Sequence, residues 1–89
     1  MSWAYDFLGS AKKDLRDIGP SAAKAIKDFL EKRVKDCDDP RAFGKPLRGD
    51  KLGLWRYRVQ DYRMICQIID NQLLVLVVKI AHRSTVYDD

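Results

Sequence analysis

The sequence predicts an α+β fold, with a helical hairpin packed on one face of a small antiparallel sheet. A short alternating apolar run opens the chain, two segments with helical spacing follow, and three segments rich in β-branched and aromatic residues come last. Connections of two or three residues join the last three segments, and strands joined so closely pair antiparallel. We therefore expect the element order β-α-α-β-β-β, and a length of 89 residues suits one domain over residues 1–89.

The first half of the chain supplies the first strand and both helices. Apolar residues alternate with small or polar ones over residues 3–7, as on a strand with one buried face. A helix is predicted over residues 9–18, with Ser10 as its N-cap and Gly19 just beyond its end. A second helix is predicted over residues 20–37, where apolar positions recur at helical spacing.

The segment over residues 38–53 is rich in Pro and Gly, which predicts a loop. Three strands should follow it, over residues 54–59, 62–70 and 73–81. The loop carries four basic residues, Arg41, Lys45, Arg48 and Lys51.

Three arginines are predicted to share one face of this sheet. A two-residue hairpin loop at residues 60–61 places Arg58 directly opposite Arg63. The same register brings Arg56 to that face, opposite Ile65. Like charges directly opposite each other destabilise a sheet, so such a set is either compensated by carboxylates or built around an anion. The planar donor fork of arginine suits a phosphate, although a solvated basic face remains the alternative.

The two faces of the sheet have different predicted neighbours. The helices should cover the face that carries Trp55, Tyr57, Val59, Met64, Cys66 and Ile68. Deeper in the sheet, the arginine face should carry Ile65, Ile69, Leu74, Leu76, Val78 and Ile80. That is more apolar surface than a small monomer usually leaves open, so we expect a partner to cover part of it.

The positive charge is concentrated in the second half of the chain. In total, 17 Lys and Arg residues oppose 13 Asp and Glu residues, for a net charge of +4. Residues 1–40 are balanced, with eight basic and eight acidic residues, whereas residues 41–83 carry nine basic and three acidic ones. A basic segment of this kind attracts a phosphate backbone, and a solvated basic surface is again the alternative.

Several classes of protein are excluded. The longest apolar run, residues 73–78, is six residues long, and the N-terminus has no apolar signal segment, so we expect no membrane span and a cytoplasmic location. Cys37 and Cys66 lie 29 residues apart, without a spacing typical of zinc ligands or of a disulfide scaffold. Because no Gly-rich phosphate loop or metal-ligand set is present, we expect neither a cofactor nor a metal.

Motifs in the second half of the chain match those of a known family. They are Lys45-Pro46-Leu47-Arg48-Gly49 before the second strand, Leu54 to Val59 and Asp61 to Ile65 on the strands, then Ile80-Ala81-His82-Arg83 and Val86-Tyr87. Together with the order β-α-α-β-β-β, they resemble the RelE/ParE superfamily of bacterial toxins from toxin-antitoxin systems. The resemblance is closest to the RelE-type mRNA endonucleases, also called mRNA interferases.

The resemblance implies cleavage of mRNA in the ribosomal A site, without a metal, by attack of a ribose 2′-OH on the adjacent phosphate. It assigns catalytic positions to Arg56, Arg58, Arg63, His82, Arg83 and Tyr87, and we expect Arg41, Lys45, Arg48 and Lys51 to bind RNA. The best-known members carry lysines where this sequence has Arg56 and Arg58. Because the pKa of arginine is above about 12, proton acceptance moves to Tyr87 or His82, and these two arginines stabilise charge.

The resemblance also implies partners. We expect a cognate RelB-like antitoxin that folds as it covers the toxin, and contact with operator DNA only through that antitoxin. Two alternatives remain open. One is the ParE branch, which shares the fold and inhibits DNA gyrase, and the other is an inactive module that only binds its antitoxin.

Overall fold

The computed structural model describes residues 2–47 and 53–84, in which two α-helices pack on a five-stranded sheet. The strands are β1 (Ala4–Phe7), β2 (Lys45–Pro46), β3 (Leu54–Val59), β4 (Tyr62–Ile69) and β5 (Leu74–His82). The helices are α1 (Gly9–Asp17) and α2 (Pro20–Phe29), and α2 continues as a π-helical turn over Leu30–Val34. Short 3-10 turns span Pro40–Phe43 and Asp70–Gln72. The predicted α+β class is confirmed.

The sheet is mixed, with the strand order β1-β5-β4-β3-β2. Strands β3 to β5 pair antiparallel, as their short connections predict, and β2, which lies within the segment predicted to be a loop, pairs antiparallel to β3. At the other edge, β1 pairs parallel to β5. Alternation over residues 3–7 indicates a strand and carries no information on its direction, so an antiparallel sheet throughout was the wrong expectation. The two-residue strand β2 forms the other edge, where Pro46 is tolerated because an edge strand can do without one ladder donor.

The second helix ends earlier than predicted. Its π-helical turn stops at Val34, Lys35 is extended, and Asp36 adopts a left-handed conformation with φ 62°, so Cys37 lies outside the helix. The helical spacing of apolar residues continues to Cys37, although the helical backbone conformation ends at Val34. Gly19, with φ 92°, separates the two helices as expected.

Ser10 is not the N-cap of α1. The N-cap position is Leu8, and no side chain caps the helix. The Ser10 hydroxyl instead donates a hydrogen bond to the carbonyl of Val78 on β5, at 2.8 Å. The predicted N-cap is therefore wrong, because the serine bonds to the sheet rather than to its own helix.

The core lies between the helices and the predicted face of the sheet. Tyr57, Met64 and Cys66 are fully buried there, together with Ile26 and Leu30 of the helical layer. The Tyr57 hydroxyl donates to the carbonyl of Pro40 at 2.6 Å, which satisfies the polar end of this buried side chain. In residues 2–47 and 53–84, no helix is long and apolar enough to cross a membrane.

A β-bulge in β5 changes the faces of its last residues. Ile65 pairs with Lys79 and Cys66 with Val77, so Val78 has no partner across the ladder. Beyond the bulge, Ile80 pairs with the core residue Met64 and is 3% exposed. The expectation that Ile80 lies on the arginine face is wrong, because the extra residue reverses the alternation that the sequence alone suggests.

Candidate functional site

The predicted register of the β3–β4 hairpin is confirmed. Gln60 adopts a left-handed conformation with φ 54°, and Arg58 lies opposite Arg63. Arg56 lies opposite Ile65 on the same face, while Tyr57 between the two arginines is buried on the other face. Alternation on a pleated strand thus presents the arginines away from the helices.

Lys45 of β2 joins this arginine set, since it pairs with Arg56 across the edge of the sheet. Arg83 follows His82 at the end of β5, two residues after Ala81, which pairs with Arg63. Alternation from Ala81 places Arg83 towards the same side. We call these residues the basic face: Lys45, Arg56, Arg58, Arg63 and Arg83.

Four cations of the basic face, Lys45, Arg58, Arg63 and Arg83, have little acidic compensation among the described residues. The Arg83 guanidinium lies 3.5 Å from the Asp61 carboxylate, and the Arg83 N–H donates to the Asp61 carbonyl at 2.6 Å. Within residues 2–47 and 53–84, no carboxylate forms an ion pair with Lys45, Arg58 or Arg63. Because Arg58 and Arg63 are directly opposite, they repel each other, and their positive potentials add at the position where an anion would bind.

His82 does not join the basic face. It pairs with Tyr62, and the two rings meet edge to face with centroids 5.4 Å apart. Its Nδ1 accepts from the Ser84 N–H at 3.1 Å and lies 2.9 Å from the Ser84 hydroxyl. Since Tyr62 shares the side of Tyr57 and Met64, the bulge in β5 turns His82 towards the helix side.

Arg41 also lies apart from the basic face. Its guanidinium donates two hydrogen bonds, of 2.9 and 2.8 Å, to the Asp70 carboxylate just after β4, whereas Arg63 is near the start of that strand. The Arg41 guanidinium also lies 6.0 Å from the ring centroid of Trp55. The pair raises the pKa of Arg41 and lowers that of Asp70, so this arginine is engaged within the protein. Arg48, Lys51 and Tyr87 lie outside the described residues.

A pocket that the sequence analysis did not identify opens beside the basic face. Its volume is ≈ 250 Å³, and it is lined by Phe43, Gly44, Lys45, Arg56 and Arg58. The only sequence signal is an aromatic residue and a glycine immediately before Lys45. That signal does not predict a pocket, because the pocket forms only where β2 pairs with β3.

A larger cavity of ≈ 440 Å³ lies elsewhere, between β1 and the π-helical turn. There the Tyr5 hydroxyl donates to Glu31 at 2.7 Å. This hydrogen bond, helped by partial burial, raises the pKa of Tyr5 to about 12. The cavity carries no part of the basic face, so its size does not make it the candidate site.

The sequence of this chain matches a known protein family over most of its length. A family model described as "ParE toxin of type II toxin-antitoxin system, parDE" matches residues 5–87. The chain belongs to the RelE/ParE family of toxins.

Two named relatives, from Mycobacterium tuberculosis and Escherichia coli, align with nearly the whole of this toxin. The "Toxin RelG" of Mycobacterium tuberculosis is 28% identical over 87 residues, which cover 98% of each chain. The "mRNA interferase toxin RelE" of Escherichia coli is 30% identical over 93 residues, which cover 100% of this toxin and 94% of that protein.

Solved structures agree with this assignment. A chain in the toxin-antitoxin complex RelBE2 of Mycobacterium tuberculosis matches with a TM-score of 0.84 and 26% identity, over 96% of this toxin and 95% of that chain. The isolated RelE toxin of Escherichia coli matches with a TM-score of 0.70 and 26% identity, over 90% of this toxin and 83% of that chain. The predicted family is therefore confirmed, and this protein is a toxin of a type II toxin-antitoxin system.

Proposed function

We propose that this toxin is an mRNA endonuclease of the RelE type. The observation that carries the proposal is the pairing of Arg58 with Arg63 across β3 and β4, where no carboxylate of residues 2–47 and 53–84 forms an ion pair with either arginine. Such a pair costs stability unless an anion lies between the guanidinium groups, and a phosphodiester is an anion with the right geometry for their donor forks. The name of the Escherichia coli relative, an mRNA interferase, supports RNA as the source of that phosphate.

The proposed reaction is attack of a ribose 2′-OH on the adjacent phosphate. A base removes the 2′ proton, cations stabilise the pentavalent phosphate, and an acid protonates the 5′ oxygen that leaves. Arg56, Arg58, Arg63 and Arg83 stabilise the phosphate, because a guanidinium with a pKa above about 12 does not act as a base near neutral pH. These cations supply the positive charge, so the proposed reaction uses no metal.

Proton transfer falls first to Tyr87 and second to His82. His82 is turned towards Tyr62, and its Nδ1 already accepts a hydrogen bond from the Ser84 N–H. To serve the reaction on the basic face it would have to leave that position. The resemblance assigns Tyr87 to the site, and its hydroxyl is our leading candidate.

The biological setting proposed for this activity is the ribosomal A site in the cytoplasm. Lys45 extends the basic face at the edge strand β2, and Arg48 and Lys51 are proposed as further RNA-binding residues, whereas Arg41 is held by Asp70. A RelB-like antitoxin would neutralise the toxin and provide its contact with operator DNA. The structural relative RelBE2 is a toxin-antitoxin complex, which supports such a partner.

Primer extension on a message translated with and without purified toxin tests the proposal. We expect toxin-dependent breaks within codons, with 5′-hydroxyl ends and 2′,3′-cyclic or 3′-phosphate ends, and the same breaks after addition of EDTA. Breaks with 5′-phosphate ends, or their loss on chelation, would contradict the mechanism.

The family model named for ParE keeps DNA gyrase as a second candidate target. A gyrase inhibitor would give gyrase-mediated DNA breaks and no cleavage of the message. A module that only binds its antitoxin would give neither. Running both assays on one preparation separates the three functions.

A further inference from the structure

The pocket beside the basic face combines an aromatic wall with cations. Phe43 lines it together with Lys45, Arg56 and Arg58. Phe43 is half-buried, because it packs against the hydrophobic core while also bounding the pocket. Cations beside an aromatic side chain are the combination that proteins use to hold single-stranded nucleic acid, with phosphates on the cations and a base on the ring.

Gly44 brings the two walls of the pocket together. A Cβ on this residue would collide with the backbone carbonyl of Arg56 and would come within 2.8 Å of Trp55 Nε1 and of the Tyr57 ring. Only a glycine therefore lets the segment before β2 lie so close to β3. That approach fixes Phe43 beside the arginines, 15 residues from Arg58 in sequence.

The size of the pocket limits its occupant. Its ≈ 250 Å³ lies below the range of about 300–1,000 Å³ typical of pockets for drug-sized ligands. A single planar base is smaller than a drug-sized ligand and suits a pocket of this volume. The cations at the same opening suit the phosphates on either side of that base.

We propose that this pocket binds one base of single-stranded RNA, stacked on Phe43, next to the phosphate held by Arg58 and Arg63. The inference rests on the proposed function, because it takes RNA as the substrate. It adds Phe43 to the residues proposed to contact that RNA. Phe43 is a binding residue in this proposal. It contacts a base and takes no part in proton transfer.

Binding of an RNA that cannot be cleaved tests the pocket separately from catalysis. The probe is a fluorescent 2′-O-methyl RNA oligonucleotide, with a series in which each position in turn is abasic, and the measurement is the Kd from anisotropy. The variants are Phe43→Leu, which keeps apolar volume and loses the ring, and Phe43→Tyr, which keeps the ring. Thermal denaturation of each variant checks that it is folded.

We expect Phe43→Leu to weaken binding of the intact oligonucleotide by roughly tenfold or more, the effect of losing one stacked base. Phe43→Tyr should bind within about twofold of the unchanged protein. One abasic position should weaken binding to the unchanged protein by the same factor as the Phe43→Leu substitution. The Kd of the Phe43→Leu variant should be the same for the intact oligonucleotide and for the oligonucleotide with that abasic position. Equal weakening for intact and abasic oligonucleotides, no weakening at all, or no binding by the unchanged protein would overturn the proposal.

A second measurement covers the case in which Phe43→Leu does not fold. In the unchanged protein, the Phe43 ring resonances should shift when the intact oligonucleotide is added and should stay in place with the critical abasic one. Identical shifts for both probes would overturn the pocket assignment. If the pocket binds the base and the message is not cleaved, the proposed function fails and the binding site stands, whereas the reverse result leaves the function and removes the site.

Discussion

At the scale of single residues, Arg58 and Arg63 show a conflict between stability and binding. They face each other across the ladder and no carboxylate of the described residues pairs with either. A sequence selected for stability alone would place a β-branched residue or an opposite charge at one of these positions. Local conflicts of this kind are expected at functional sites, where they are tolerated because the rest of the domain is consistent with the fold.

This conflict predicts that Arg58→Ala stabilises the folded protein. Removal of one of two like charges directly opposite each other should raise the free energy of unfolding, by up to about 1 kcal/mol. The measurement is urea denaturation followed by fluorescence. Arg33→Ala, on the exposed part of the π-helical turn, is the matched control and should change little. A clear loss of stability in Arg58→Ala would show that this arginine has a structural partner.

Removal of the phosphate ligands predicts a loss of activity without a loss of fold. Arg63→Ala or Arg83→Ala should lower the rate of message cleavage by roughly 10² to 10³, on the order of 2–4 kcal/mol of transition-state stabilisation. Cleavage rates on ribosome-bound message provide the measurement, and far-UV circular dichroism checks the fold. A variant that retains the full rate would remove that arginine from the proposed site.

The proton-transfer assignment predicts different results for two conservative variants. Tyr87→Phe removes only the hydroxyl and should abolish most cleavage, whereas His82→Gln should retain most of it because His82 is turned towards Tyr62. Single-turnover cleavage of ribosome-bound message is the measurement. If Tyr87→Phe kept the normal rate and His82→Gln lost it, the role would pass to His82.

At the scale of elements, α1 supports the irregular end of β5. Beyond β1, the outer edge of β5 faces α1, and two of its backbone groups bond to helix side chains. The Ser10 hydroxyl donates to the Val78 carbonyl at 2.8 Å, and the Asp14 carboxylate accepts from the Ile80 N–H at 3.0 Å. Ser10 and Asp14 are four residues apart and so lie on one face of the helix. They satisfy backbone groups on the outer edge of β5 beyond Val77, where the pairing with β1 has ended.

Loss of the Asp14 acceptor should therefore destabilise the domain. Asp14→Ala leaves the partly buried Ile80 N–H without a partner and should cost about 1–3 kcal/mol, while Asp14→Asn keeps an acceptor oxygen and should cost less. Urea denaturation measures both. Asp28→Ala, which removes an exposed carboxylate paired with Lys24, is the control for loss of a helical surface charge. Equal losses for Asp14→Ala and the control would argue against this support of β5.

The elements differ in how far the sequence predicts them. The register of β3 and β4 follows from a two-residue hairpin and a clear alternation, and both are visible in the residues. The bulge in β5 is not visible, because apolar residues occupy both faces from Leu74 to Val78 and alternation there has no contrast. Only Lys79 before Ile80 marks the change of face. The same bulge turns His82 away from the arginines, although the resemblance assigns it to their site.

At the scale of the whole molecule, two features that the sequence does not predict depend on contacts between distant segments. The pocket at Phe43 needs the approach of the loop to β3, and the engagement of Arg41 needs Asp70, 29 residues away. From the sequence alone, a basic residue in a loop looks available to bind a ligand. Arg41 is not, because its guanidinium is hydrogen-bonded to Asp70. Local pattern therefore predicts the helices, the hairpin and the three arginines on one face of β3 and β4, while the neighbours of the loop follow only from the packed fold.

The Arg41–Asp70 pair predicts a specific dependence of stability on pH, since it ties the loop after the helices to the far end of β4. The guanidinium holds the pKa of Asp70 below its ordinary value of 3.8. The folded protein therefore binds the proton less readily than the unfolded chain, so the contribution of the pair is complete above that ordinary value and is lost as the pH falls through the lower pKa of the folded state. Asp70→Asn should have a lower Tm than the unchanged protein at neutral pH, and the difference should shrink towards zero in acid. Thermal denaturation at a series of pH values from about 7 to about 2 measures it, with Asp38→Asn, another exposed carboxylate, as the control. A Tm difference that stayed constant down to the lowest pH would mean that Asp70 stabilises the fold through something other than its charge.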